Sequence, residues 1–314
     1  MDGRTSDSAY PADVGLSLML SRTFLHQGRD RSYLLAIPPT LAAGTPLPLI
    51  VAFHGGGINA RAMSRLSNIH ELAARGLCLV AYPDGTGRVD RARTWNAGDC
   101  CGHAHRYQVD DVGFVDRLCT AIEAEWPVDP RRIYATGFSN GGMLCYHLAS
   151  QLPDRLAAIA PVAAAMTCTL SSHTQAVPVL AIHGTCDQYV PIAGGRGPKS
   201  RAGVDYRPLR ETLDLWAARN GCHFQPHSTW LTVPQHLSAT TSPPDIRATH
   251  GALPIEDWDY GPGRGASEVR AYIVHGGGHT WPGQPSEEFE LGATATNLSA
   301  NEAIWEFFSR HRRI

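Results

Sequence analysis

The 314-residue chain reads as an α/β fold, a mostly parallel central sheet with helices on both faces. Three observations predict it. Short apolar runs of buried-strand type alternate with stretches of helical periodicity, the order that gives parallel strands joined by crossover helices. Hydrophobic residues make up 43% and charged residues 18%, enough apolar material for a large core and too little charge for a disordered chain. Glycine (31) and proline (22) are plentiful and mark many tight turns and shaped loops.

The elements follow in order. Arg31 to Ile37 is the first strand, and Pro48 to Phe53 (PLIVAF) is a buried one. Ala60 to Arg75 places Met63, Leu66, Ile69 and Leu72 at helical spacing, and Leu77 to Tyr82 is the next buried strand. Val112 to Trp126 is a helix with Asp110 or Asp111 at its N-cap. Strand Arg132 to Thr136, helix Gly141 to Gln151, and strands Ala157 to Val162 and Pro178 to His183 follow. Helix Arg210 to Asn220, strand Val269 to Val274 and a last helix from Ala300 to His311, capped by Asn297 or Ser299, complete the pattern. Two stretches break the rhythm: Pro191 to Pro208, rich in glycine and charge, and His223 to Ser267. The second is too long for an ordinary connection, so 1–314 is expected to be a single catalytic domain with a functional loop or small lid at 223–267.

Net charge is −2, with 27 basic and 29 acidic residues, which points to no nucleic-acid or acidic-lipid partner. No apolar run is long enough to span a bilayer. Val14 to Leu20 lacks the cleavage pattern of a signal peptide, so the chain is expected to be cytoplasmic or to have lost its signal.

The strongest chemical signal is Gly137-Phe138-Ser139-Asn140-Gly141, a G-x-S-x-G that directly follows the strand RRIYAT and precedes the helical run GMLCYHLA. A strand turning sharply into a helix strains the serine backbone and lifts the hydroxyl above the sheet, and the flanking glycines remove Cβ atoms that would clash. This is the nucleophile turn of an α/β-hydrolase. His54-Gly55-Gly56-Gly57 ends the strand PLIVAF and is an oxyanion loop of the HGGG type, in which glycines let backbone N–H groups approach a developing charge. The hole is assigned to the amides of Asn140 and Gly56, with Gly55 as a helper. In this fold the acid and then the base follow the serine along the chain. Asp187 is the first carboxylate after the strand PVLAIH, whereas its rival Asp154 precedes a strand. Two histidines follow the strand EVRAYIV: His275 lies close to the strand, while His279 comes after three glycines that let its loop reach the serine. The expected set is therefore Ser139, Asp187 and His279, with no cofactor and no metal. Asp99, Cys100, Cys101, His103 and His105 cluster in sequence, but adjacent cysteines lack the ligand spacing of a zinc site. Trp95 and Trp281 flank the site loops and are expected as aromatic walls for substrate.

These motifs resemble the polyhydroxybutyrate depolymerase and feruloyl esterase family of α/β-hydrolases. The similar segments are HGGG at 54–57, YPDGTG at 82–87, TWNAGDCCG at 94–102, VDDVGFV at 109–115, GFSNGGM at 137–143, HGTCDQYVP at 183–191, WAARNGC at 216–222 and GGGHTWPG at 276–283. The resemblance implies cofactor-free hydrolysis of a small-molecule or polymer-linked ester, secretion in many relatives, and the same three residues, Ser139, Asp187 and His279. It also places the Cys100–Cys101 loop near the site, so a disulfide from Cys100 or Cys101 to Cys168 or Cys186 is expected in an oxidising compartment. The chain departs from the pattern at Cys186, where relatives usually carry a small apolar residue. It also has no cysteine in Asp257 to Ser267 to pair with Cys222. The functional expectation is a serine esterase for short-chain or aromatic acyl esters that works through an acyl-enzyme. The alternatives are an acyltransferase and an amidase or peptidase using the same triad.

Overall fold

In the computed structural model the described residues are 8–9, 18–41, 45–173, 175–232, 250–285 and 291–313. Strands β1 (Ser8–Ala9), β2 (Leu18–His26), β3 (Arg29–Ile37), β4 (Leu47–Phe53), β5 (Leu79–Pro83), β6 (Val128–Phe138), β7 (Ala158–Val162), β8 (Val179–Gly184), β9 (His227–Thr232), β11 (Ile255–Pro262) and β12 (Glu268–Val274) form one sheet. Its order is β1-β2-β3-β5-β4-β6-β7-β8-β12-β11-β9. The central run from β5 to β12 is parallel, and antiparallel strands extend it on both sides. Short strands β10 (His250–Gly251) and β13 (Thr294–Ala295) pair separately.

The helices are α1 (Ala60–Ser67), α2 (Glu71–Ala74), α3 (Gly102–Arg106), α4 (Asp111–Glu125), α5 (Asn140–Gln151), α6 (Leu209–Asn220) and α7 (Ala300–Ser309). Both faces of the parallel centre of the sheet are buried, as the sequence pattern requires. Leu49, Val51 and Phe53 of β4 pack with α4, α5 and α6 on one face. The intervening Ile50 and Ala52 pack with α1, α2 and α7 on the other.

Three departures have local causes. The helix expected over 60–75 divides, because Asn68 adopts a left-handed conformation (φ 48°) and returns its N–H to Ser64 O as a C-cap. Strand β2 has no early counterpart in the sequence reading. It is created by a two-residue hairpin at Gln27 and Gly28, both with positive φ, which is the turn geometry that matches strand twist. The stretch 223–267 is not simply a loop or lid: its described ends are β9 and β11, which widen the sheet, and 233–249 lie outside the described residues. The remaining caps fall within the expected choices, Asp110 accepting from Gly113 N and Ser299 from Glu302 N.

Helix α7 is tied to the sheet through Glu268 of β12, whose Oε1 accepts from Arg310 and lies 2.8 Å from His311 Nε2. Burial pushes the Glu268 carboxyl up, but hydrogen bonds from His311 and Arg310 and their charges outweigh it and bring the value down to about 2. A depressed carboxyl stabilises the fold above its ordinary value of 4.5, and that contribution is lost as pH falls through about 2. Glu268→Gln should therefore lower the melting temperature at neutral pH and flatten the loss of stability between those two values. An acid-unfolding series on both proteins checks this, and superimposable curves would contradict it.

Candidate active site

Strand β6 ends at Phe138 and α5 starts at Asn140, so the whole reversal is made at Ser139, with φ 54° and ψ −120°. Left-handed φ is costly for a residue with a side chain and persists only where its surroundings hold it. Here the Ser139 N–H donates to Val162 O at 3.0 Å, and its carbonyl accepts from Met143 N at 2.9 Å. The neighbouring glycines are sterically required. A Cβ at Gly137 would lie 2.5 Å from the Gly141 carbonyl carbon, and one at Gly141 would collide with the Phe53 and His54 carbonyls.

The HGGG loop packs on this turn. A Cβ at Gly55 would stand 3.5 Å from Ser139 Cβ, and one at Gly56 would stand 3.7 Å from Asn140 Cβ. His54 fixes the loop's direction. Its Nε2 accepts from Gly85 N–H at 2.9 Å, so Nδ1 carries the proton and donates to Gly55 O at 2.7 Å. Burial holds the His54 pKa down at about 4, which keeps this neutral tautomer. A trans peptide sets C=O and N–H on opposite sides, so pinning the Gly55 carbonyl turns the Gly56 N–H the other way. The Gly57 N–H is already engaged by Arg93 O at 2.8 Å, which leaves the amides of Gly55 and Gly56. Asn140 opens α5, among the helix donors that lack intrahelical partners.

Asp187 and His279 meet directly. His279 Nδ1 donates to Asp187 Oδ2 at 2.7 Å, and the histidine is only 4% exposed. Asp187 Oδ1 accepts from the backbone N–H of Tyr189 and Val190 at 2.8 and 2.9 Å. Burial raises the Asp187 pKa, yet its bond to His279 and the nearby imidazoles outweigh it, so the net shift is downward and the group stays a carboxylate. With Nδ1 committed to that carboxylate, Nε2 of a neutral His279 keeps its lone pair. The ring lies against Phe138, which precedes Ser139, at 4.7 Å between centroids, and it stacks on Tyr189 at 5.0 Å. The rival histidine, His275, lies 2.9 Å from Glu256 Oε2 and packs on Trp230, while Asp154 is exposed at the surface.

A cleft of about 1010 Å³ opens beside Ser139. Gly56, Asn140, Met143, Tyr189 and Tyr206 line it.

Other expectations are corrected. Trp95 is 0% exposed and Trp281 2%, and neither lines the cleft. Trp95 donates its indole N–H to His54 O at 2.9 Å, and its backbone is clamped at both ends by the Asn140 amide. Trp281 donates to Asn301 Oδ1 at 2.9 Å, joining its loop to α7. Each indole packs because its N–H finds a buried acceptor. Cys100 is bonded to its neighbour Cys101, and Cys168 and Cys186 are free. Cys168 is buried against Gly98 and Cys186 is exposed, so neither is joined to the pair. His105 turns its ring to Gly98 O at 2.9 Å and His103 packs on Tyr107. Among the described residues no three His, Cys, Asp or Glu side chains converge as metal ligands.

Sequence reasoning missed the brace behind the site. Arg31 and Asp111, both buried, pair at 2.7 Å, and Asp111 also accepts from Asn96 N–H at 2.8 Å. Asp84 accepts from Ala60 N and Ser32 Oγ, linking the loop after β5 to α1 and β3. The motifs YPDGTG and VDDVGFV contain both acids, but nothing in their local pattern identifies the partner.

Fold and site together define a carboxylic ester hydrolase of the α/β-hydrolase fold. The family described as "Esterase PHB depolymerase" matches residues 31–205, and the chain belongs to that family. It is 30% identical to "Putative esterase NocK" of Nocardia uniformis subsp. tsuyamanensis, over 91% of this chain and 81% of that one. It is 26% identical to "Probable feruloyl esterase C" of Aspergillus niger, over 90% and 86% of the two chains. Among solved structures it is similar to an acetyl xylan esterase from Aspergillus awamori, with TM-score 0.56, 14% identity and 89% and 94% coverage, a likeness of fold.

Trp281→Ala tests the correction. Removing a buried indole of this kind costs ~3–5 kcal/mol, so the melting temperature should fall sharply. Below that temperature, the Michaelis constants for aryl and acetyl esters should change by the same factor. A selective rise for aryl esters would put Trp281 back in contact with substrate.

Proposed function

We propose that this chain is a serine esterase that works through a covalent acyl-enzyme, with Ser139 as nucleophile, His279 as general base and Asp187 as the residue that orients the base and stabilises its charged form. The observation that carries the reading is the buried His279–Asp187 hydrogen bond of 2.7 Å, set against the turn that strains Ser139. In the first step His279 Nε2 takes the Ser139 proton as Oγ attacks the ester carbonyl. The amides of Asn140 and Gly56, with Gly55 beside them, receive the oxyanion, and the amino-terminal end of α5 adds its partial positive charge. His279 then returns the proton to the departing alcohol. Water, activated by the same imidazole, releases the acid and frees Ser139.

The substrate assigned here is a carboxylic ester with a compact acyl group, free or carried on a larger molecule. An open cleft of about 1010 Å³ supports this, and so does a relative named for feruloyl esters. The aromatic surfaces facing substrate are tyrosines, with Tyr189 stacked on the base itself.

Hydrolysis of 4-nitrophenyl acetate and methyl ferulate by the parent chain and three variants tests the reading. Ser139→Ala and His279→Ala should each lose about three or more orders of magnitude in kcat while keeping a native circular-dichroism spectrum. Asp187→Asn should lose less, because the imidazole keeps its place but loses the anion that stabilises its charged form. Near-normal turnover by folded Ser139→Ala would refute the assignment.

A further inference from the structure

The cleft beside Ser139 is electrostatically one-sided. Of the 21 residues that line it, five are cationic (Arg88, Arg91, Arg106, Lys199 and Arg201), and none is Asp or Glu. The chain as a whole holds 27 basic and 29 acidic residues, so a neutral sampling would have placed both signs here. The cations come from three separate segments: the loop after β5, helix α3 and the loop after β8. Such convergence is a property of the cleft rather than of one basic stretch. Among the described residues Arg88, Arg91, Arg106 and Arg201 make no ion pair, whereas their neighbour Arg93, outside the lining, is held by Asp90 at 2.6 Å. His103, also in the lining, reports the local field. Slight burial lowers its pKa first, and the charges of Arg29, Arg88 and Arg106 all push it further down.

We propose that the esters this site prefers carry a second, ionised oxyanion, a carboxylate or phosphate, which the basic walls of the cleft attract while the scissile carbonyl sits at Ser139. This rests on the esterase reading above. Guanidinium groups offer paired donors that match carboxylate and phosphate oxygens. A cleft lined by one sign of charge focuses its field on the entering substrate and raises its local concentration. All four arginines are exposed, so each contact is weak in salt, with a screening length of about 8–10 Å at ordinary ionic strength. The field of several acting together supplies the preference.

Two matched substrate sets test this. For charge on the alcohol side they are methyl 4-acetoxybenzoate, 4-acetoxybenzoate and 4-acetoxyphenyl phosphate. For charge on the acyl side they are dimethyl adipate and monomethyl adipate. Each kcat/KM is divided by the rate of hydroxide-catalysed hydrolysis to remove intrinsic reactivity. At low ionic strength at least one anionic ester should exceed its neutral partner by about tenfold, mainly through KM, and added salt should erode the advantage. The carboxylate and phosphate arms tell the two oxyanions apart. In Arg88→Gln/Arg91→Gln/Arg106→Gln the charged-to-neutral ratio should fall towards one. Neutral esters equal to or better than the anions in both sets would overturn the proposal, as would a preference that survives the triple substitution or is indifferent to salt. Turnover of the neutral esters that vanishes in Ser139→Ala would leave the esterase reading standing in those cases. No turnover of any of the five would sink both.

Discussion

Everything at the site hangs on how closely the backbone after β6 approaches the end of β4. Gly141 sits so near the Phe53 and His54 carbonyls that no side chain fits, and Gly137 is pressed against Gly141 in the same way. Gly142 adds a third close approach, with its missing Cβ only 2.6 Å from Ala164 Cβ. Those contacts force the reversal between strand and helix into one residue and push Ser139 to positive φ. They also bring the first amide of α5 beside the HGGG loop. The Ser139 turn and the amides of Asn140 and Gly56 are thus positioned by a single steric constraint, and the strain at Ser139 is held by the buried parallel strands on either side.

Buried polar groups then fix the directions of the loops around Ser139. His54, held neutral by burial, orients the Gly55–Gly56 peptide. Asn140 uses both ends of its amide on the backbone of Trp95, and Trp95 returns a bond to the His54 carbonyl, so the HGGG loop, the Ser139 turn and the loop after β5 form one closed network. Below it, the Arg31–Asp111 pair is buried on both sides, with Arg31 lying 3.6 Å over the Phe114 ring. Removing one member of such a pair leaves an uncompensated charge and costs ~3–5 kcal/mol. The pair therefore locks β3 to α4 beneath the Asn96 loop.

What the sequence disclosed was the part written in local pattern. Buried strands show as apolar runs, the Ser139 turn as spaced glycines between a strand and a helix, and the hydrogen-bonded pair Asp187 and His279, the proposed acid and base, as polar residues just past strand ends. The preference for His279 over His275 came from the flexibility of three preceding glycines, and His275 instead faces Glu256 on the antiparallel extension. Orientation was not legible. Trp95 and Trp281 lie next to site residues in sequence, yet their indoles turn inward because buried acceptors, His54 O and Asn301 Oδ1, wait there. Strands β9 and β11 were hidden because the antiparallel extension they form is half-polar and lacks the continuous apolar run that betrays a central parallel strand. The positive cleft was equally invisible, since its cations come from three separate segments of the chain and the net charge is slightly negative.

The central claim is that Ser139 is the one side chain activated for covalent attack by its buried His279–Asp187 partner. Incubating the protein with a fluorophosphonate and mapping the modified peptide by tandem mass spectrometry tests it most directly. The account predicts one phosphonyl adduct per chain, on Ser139, which is absent when His279 is replaced by alanine. An adduct on another residue, or labelling of Ser139 that proceeds unchanged without His279, would contradict it.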